Sequence, residues 1–219
     1  MVKLASFGDL NPQLCMKVQR GYLRTALRIL HAAWPATDLD PRVSVTADED
    51  EITNVLRREM KKVKDAMKPS PRFRISRETQ SDIVDDGSPL GLIDIEIGYT
   101  FDEVLYLAIE CKRIESTGNT LARRYVRDGI NRFVTCKYSG GHALAGMVGY
   151  VICGDRHQCV ERVRSQLAKE PLAITGFDAD AGWSESTAWV PAEVLYESHH
   201  RQSPSGHRIC LVHSYLRVS

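Results

Sequence analysis

Apolar positions along the chain switch between two periods. From Gln13 to Trp34, residues Leu14, Val18, Tyr22, Ala26, Leu27 and Leu30 recur at helical spacing, with Pro35 behind them, which predicts an amphipathic helix. A second helix carries Ile52, Val55, Leu56, Met60, Val63 and Met67 on one face. Thr46 or Asp48 can cap it, and it stops before Pro69 and Pro71. Arg72 to Ser76 alternates as a short strand does, and Asp85-Asp86-Gly87-Ser88-Pro89 reads as a turn. Two apolar runs follow, Gly91 to Ile97 and Leu105 to Lys112. The short link Gly98 to Glu103 joins them, so an antiparallel hairpin is expected.

Beyond the loop Glu115 to Asn119, a helix is expected from Thr120 to Tyr138. Leu121, Tyr125, Ile130, Phe133 and Val134 supply its buried side, Gly129 allows a close approach, and Gly140-Gly141 ends it. Ala145 to Cys153 reads as a central strand, and Asp155 opens a helix through Ala168. Phe177 to Ser186 is a polar loop. Two final strands, Glu193 to His200 and Ile209 to Val218, flank the turn Ser203 to Gly206. This order predicts an α/β fold with a mixed central β-sheet flanked by helices. Residues 1–45 would form an N-terminal helical segment of a single compact domain, and 46–219 its core, closed by a C-terminal β-hairpin.

Charge sits where a buried sheet should have none. Alternation puts Glu110 and Lys112 on one side of their strand and Cys111 on the other. If the hairpin turns near Asp102, Asp94 lies opposite Glu110 on the same side. Two carboxylates and an ammonium then converge, an arrangement that binds a divalent cation and sets a lysine beside metal-bound water. The competing reading is an exposed edge strand whose Lys112 merely pairs with Glu110, an interaction of little worth. Val104, Tyr106 and Ala108 on that side argue for partial burial, where carboxylates lacking a cation are costly.

An aspartate, a gap, then Glu-x-Lys on a second apolar strand resembles the PD-(D/E)XK, or restriction-endonuclease-like, nuclease superfamily. The matching text is Ile93-Asp94-Ile95 and Ala108-Ile109-Glu110-Cys111-Lys112-Arg113; the proline of the motif's name is absent before Asp94. The resemblance covers about residues 46–170 and implies a metal-dependent nuclease, most naturally a DNA endonuclease. Asp94, Glu110 and the Cys111 carbonyl would hold Mg²⁺, with Mn²⁺ able to substitute. Close carboxylates keep Lys112 protonated, which favours orienting water and stabilising charge over general-base action. The superfamily often adds a glutamate from the helix before the hairpin. Glu51, beside the apolar stripe, is the choice here, with Glu59 and Glu49 as rivals. Glu96 shares the side of Asp94 and is read as an ordinary strand carboxylate. Arg124 and Tyr125 follow Lys112 where related nucleases direct polar groups at phosphate, although a core role suits Tyr125 better. The texture of 125–150 and 199–216 also resembles nuclease-like proteins of bacterial antiviral defence. A catalytically inactive scaffold subunit and a ribonuclease remain alternatives.

Composition adds limits. The 219 residues carry a formal charge of +1, so no global positive field draws the chain to nucleic acid. Phosphate contacts would fall to local clusters: Arg72, Arg74 and Arg77, or Arg123, Arg124 and Arg127. The cluster Arg57, Arg58, Lys61, Lys62 and Lys64 reads as a solvated helix face. Double-stranded DNA is the expected partner, cut by a homodimer or by a subunit of a larger complex. No run is apolar enough to span a membrane and Met1 to Asp9 lacks a signal-peptide core, so a cytoplasmic location is expected. The six cysteines show no C-x-x-C spacing and suggest neither disulfides nor zinc. His199, His200 and His213 are read as structural or interface residues.

Overall fold

The structure, a computed structural model, describes residues 12–80, 84–85, 88–89, 92–99, 106–137, 142–203 and 205–219. Two helices lead, α1 (Pro12–Asp38) and α2 (Glu49–Ala66). Then come β1 (Phe73–Gln80), the two-residue strands β2 (Val84–Asp85) and β3 (Ser88–Pro89), β4 (Leu92–Tyr99) and β5 (Tyr106–Glu115). The next helix has three parts: α3 (Thr120–Arg124), a π-helical turn (Tyr125–Ile130) and α4 (Asn131–Val134). It leads into β6 (Leu144–Cys153), α5 (Arg156–Lys169) and α6 (Leu172–Thr175). Strands β7 (Trp183–Ser186), β8 (Leu195–Arg201) and β9 (Arg208–Arg217) end the chain.

Among the described residues, seven strands form one mixed sheet in the order β1-β4-β5-β6-β9-β8-β7. Strands β1, β4 and β5 run antiparallel, β5, β6 and β9 parallel, and β8 and β7 return antiparallel. The fold is therefore α/β, with helices on both sides of a mixed sheet. One side buries Leu23, Leu27 and Leu30 of α1 and Ile52, Val55 and Leu56 of α2 against Leu107, Ile109, Val148 and Val212. The other buries Val126, Ile130 and Phe133 with Val160 and Val163 of α5 against Ala108, Met147 and Leu211. Each such Leu, Ile, Val, Phe or Met side chain taken from water contributes about 1.5–3 kcal/mol. No described helix is long and apolar enough to cross a membrane.

Several boundaries differ from expectation, β1 among them, which runs four residues past the expected end at Ser76. Helix α1 runs one turn past Pro35, because tertiary contacts hold its end: the Trp34 indole donates to the Arg217 carbonyl at 3.2 Å and Asp38 accepts from the Ser219 amide at 2.9 Å. Trp183–Ser186 is an edge strand on β8, although its polar sequence reads as loop. The helix after β5 ends at Val134, four residues short of Tyr138, and Cys136 takes a left-handed φ of 58° just beyond it. The expected stop at Gly140-Gly141 and the turn near Asp102 lie outside the described residues.

A buried polar chain ties the π-turn to the last strands. The Thr175 carbonyl only accepts, so His200 Nδ1 donates to it at 2.6 Å, and His200 Nε2 accepts from the Ser198 hydroxyl at 2.7 Å. Ser198 Oγ then accepts from His213 Nε2 at 2.6 Å, and His213 Nδ1 accepts from the Tyr125 hydroxyl at 2.9 Å. Each step has one donor and one acceptor only while both histidines are neutral.

Burial pushes His200 down to about 4, and burial with His200 nearby pushes His213 well below its usual value. As pH falls from about 6.5 towards 4, the unfolded chain therefore takes up protons that the folded chain refuses. Stability supplied by these residues is complete above about pH 6.5 and falls by up to about 1.4 kcal/mol per pH unit for each. Urea denaturation at pH 7, 6 and 5 should show a smaller loss in His200→Asn than in the unaltered chain; equal losses would contradict the account.

Candidate active site

The site begins where strand pairing stops. The β4–β5 ladder runs from Gly98–Tyr106 to Ile95–Ile109 and goes no further. Beyond it, the next groups along that edge of β5 belong to Cys111 and Arg113, and buried backbone polar groups need partners. Carboxylates supply them. Asp94 Oδ2 accepts the Cys111 amide at 2.7 Å, and Glu49 Oε2 accepts the Arg113 amide at 3.0 Å. Two acidic side chains thus take over from a strand.

Lys112 closes the group. Its ammonium lies 2.6 Å from Glu49 Oε1, 2.7 Å from Glu110 Oε1, 2.7 Å from the Cys111 carbonyl and 4.0 Å from Asp94 Oδ2. The expected trio therefore meets around one cation, although Asp94 and Glu110 are not ladder partners, since pairing ends one step before them. Glu110 Oε1 also accepts from Arg132 Nη1 at 2.9 Å. The other oxygen, Glu110 Oε2, is buried with no hydrogen-bond partner among the described residues.

Close helix packing makes this possible. A Cβ on Gly129, in the π-turn, would meet Met147 Cε at 2.8 Å and Lys112 Cγ at 3.4 Å. An added methyl would push the flexible end of Met147 aside, so glycine lets the backbone lie close over Lys112 and Glu110 without that shift, and the π-turn that contains it leads directly into the helix carrying Arg132.

Three carboxylates (Asp94, Glu110, Glu49) face two cations (Lys112, Arg132), which leaves one negative charge over. Burial raises Glu110 to about 8, with the Asp94 charge adding to the effect against the pull of Lys112 and Arg132. Burial likewise raises Asp94, against the opposing effects of Lys112 and the Cys111 amide. Burial alone would lower Lys112, but Glu110, Asp94 and Glu49 outweigh it and hold its ammonium charged, above the ordinary lysine value. The group resolves its charge excess through a reluctant Glu110. A hard dication would resolve it too, and the unpartnered Glu110 Oε2 and the Cys111 carbonyl are the oxygen ligands such an ion takes. The residues fit Mg²⁺.

The site opens into a cavity of about 600 Å³ whose walls include Arg113, Arg124, Arg127, Asn131, Arg132 and Lys137. Asp48, Glu49, Asp128 and Lys112 also line it, so basic groups outnumber acidic ones around it. Arg127 is tied to Glu170 at 2.8 Å.

Among the rival carboxylates, the sequence-based choice of Glu51 is corrected. Glu49 reaches Lys112, while Glu51 gives its amide to the capping Asp48 and contributes charge near Arg42. The apolar stripe of α2 faces the α1 side of the sheet, whereas the site receives the helix's first residue end-on. Glu59 pairs with Arg58 and Lys62 elsewhere on α2. Glu96 is buried on β4, its Oε1 near Arg74 across Gly98. Tyr125 is fully buried and bonded to His213, while Arg124 lines the cavity.

Of the basic clusters, Arg72 and Arg74 sit on or beside β1, two strands from Lys112, and the side chain of Arg77 lies outside the described residues. Arg57 is buried rather than solvated, bonded to Asn54 and near the Asp94 carbonyl at 3.5 Å. His200 and His213 belong to the core chain. Arg132, Asn131 and Asp128 were missed from sequence; with Arg124 they form a polar stripe at helical spacing, the one signal that could have found them.

No protein-family model matches the chain, nor does any curated protein or solved structure.

Proposed function

We propose that the chain is a Mg²⁺-dependent phosphodiesterase acting on nucleic acid, a DNA endonuclease of the PD-(D/E)XK kind. The observation that carries this reading is the convergence of Asp94, Glu110, Glu49 and the Cys111 carbonyl on the Lys112 ammonium beneath a cationic cavity. The order of elements supports it: helix α2, the antiparallel strands β1, β4 and β5, a crossover helix, then β6 parallel to β5. The expected nuclease core has that order. An inactive scaffold would have no use for a buried, unpartnered carboxylate oxygen beside a charged lysine, since such groups cost stability.

Asp94, Glu110 and the Cys111 carbonyl would hold the ion, and Glu49 adds a carboxylate within reach of the same lysine. Bound Mg²⁺ would lower the pKa of attacking water and neutralise charge on the phosphate. The chain's own residues do the rest. Lys112, charged and tethered on three sides, hydrogen-bonds the attacking water or a non-bridging phosphate oxygen. Arg132 holds Glu110 in place from the helix side. Arg124, Asn131 and Lys137 receive the flanking backbone phosphates, whose contacts position the strand without reading its sequence. The cavity's cations are few and the net charge is only +1, so further DNA affinity comes from a second copy or a partner subunit.

Supercoiled plasmid incubated with the protein should be nicked or linearised in Mg²⁺ and left intact in EDTA. Lys112→Met, still folded by circular dichroism, should lower the rate by about 10²–10³-fold. Cutting that survives EDTA or Lys112→Met would reject these assignments; cleavage of RNA in place of plasmid would redirect them to a ribonuclease.

Glu49→Gln should lower plasmid cleavage by about tenfold or more, while Glu51→Gln should leave it within about twofold. The reverse ranking would return the helix carboxylate to Glu51.

Mg²⁺ should raise the melting temperature of the unaltered chain, because it binds the folded state alone. Asp94→Asn should lose that shift, and a shift of equal size in the variant would place the ion elsewhere.

A further inference from the structure

A second set of metal-ligating side chains lies on the other side of the sheet. His199 on β8 and Cys210 on β9 are direct cross-strand partners, and Glu197 precedes His199 by two residues, hence on the same side. One ligand atom from each, the Glu197 carboxylate oxygen, a His199 ring nitrogen and Cys210 Sγ, lie within 4.8 Å of one another. All three side chains are half-buried, so an ion can reach them. Cys210 packs against the α1-side core, whereas Lys112 faces the α3 side with Met147 and Gly129. The two groups are separate.

We propose that Glu197, His199 and Cys210 bind a zinc-class transition metal ion that clips β8 to β9. The donor set is one thiolate, one imidazole and one carboxylate. That mixture suits Zn²⁺ and poorly suits Mg²⁺, which takes oxygen ligands. Tetrahedral Zn²⁺ has bonds of about 2.0–2.3 Å, which draws donors to about 3.5 Å apart. The donors now lie within 4.8 Å of one another, so reaching that spacing asks for shifts of about an ångström.

The carboxylate is already oriented for the role. The Trp189 indole donates to Glu197 Oε1 at 2.7 Å, while the Cys210 thiol donates to Glu197 Oε2 at 3.8 Å. One oxygen is fixed from behind and the other is presented to sulfur, the arrangement in which outer groups aim a metal ligand. Arg20, stacked over Trp189 with its guanidinium carbon 4.9 Å from the ring centroid, steadies that indole. Binding exchanges the thiol proton for the metal ion, releasing H⁺ to solvent as the Zn–S bond forms. Three protein ligands leave a fourth position for water.

Cysteine spacing could not reveal this group. Its ligands are a Glu-x-His pair on one strand and a single cysteine on the next, and only the β8–β9 register unites them.

The test uses the full chain, purified free of metal and held in saturating Mg²⁺, with Co²⁺ as an optical probe and Zn²⁺ as competitor. One Co²⁺ per chain should bind with a thiolate-to-cobalt charge-transfer band, and Zn²⁺ should bleach it. Cys210→Ser should abolish the band, and His199→Gln should weaken Zn²⁺ binding by about tenfold or more. Asp94→Asn should leave band and affinity unchanged, which separates this site from the proposed nuclease centre. Absence of the band in the unaltered chain, its survival in Cys210→Ser, or its loss in Asp94→Asn would each overturn the proposal. Should Cys210→Ser fail to fold, full Zn²⁺ affinity in folded His199→Gln would overturn it equally.

Discussion

The unpaired edge of β5 beyond Ile109 is the constraint from which the site follows. Once β4 turns away, the amides of Cys111 and Arg113 and the Cys111 carbonyl have no strand to pair with in a partly buried place. Asp94 and Glu49 satisfy the amides, and Lys112 folds back onto the carbonyl. The same bonds that repair the sheet gather negative charge at one point. Glu110, fully buried beneath, adds a third carboxylate that the two nearby cations cannot fully balance. Such a cluster is a weak way to stabilise a fold, because desolvation offsets much of the attraction. A bound dication would offset that excess negative charge.

The surrounding architecture serves that edge. The N-terminus of α2 arrives end-on with Asp48 as cap and Glu49 as its first residue, while its apolar stripe stays on the α1 side of the sheet. Across the sheet, the π-turn brings Gly129 down over Lys112, and the helix that follows supplies Arg132 and Asn131. The buried chain from Tyr125 through His213 and Ser198 to His200 anchors that turn to β8 and β9. The position of the lysine thus depends on packing from both helical layers.

Much of this was legible in the sequence because period-two patterning is strong where strands are buried. The apolar surroundings of Asp94, Glu110 and Lys112 marked β4 and β5, and their charges stood out as exceptions. Glu49 stood only as a rival to Glu51, since reasoning from a helix stripe asks which side is buried and ranks a residue contributed by the helix end too low. Trp183–Ser186 was hidden because a four-residue edge strand has too few positions for alternation to show. Arg132 was overlooked because a polar stripe on a partly exposed helix reads as ordinary solvated surface, and only its contact with Glu110 gives it a role. Cross-strand groups, whether the His213–Ser198–His200 chain or Glu197, His199 and Cys210, depend on register, which residue spacing does not encode.

The most direct measurement is a crystal soaked in Mn²⁺ with anomalous data collected at the manganese edge. The account expects a peak bonded to Asp94, Glu110 and the Cys111 carbonyl, with the Lys112 ammonium displaced from the centre of the carboxylates. A crystal soaked in excess Mn²⁺ in which Lys112 keeps all its present contacts and no anomalous peak lies beside Asp94 would contradict it.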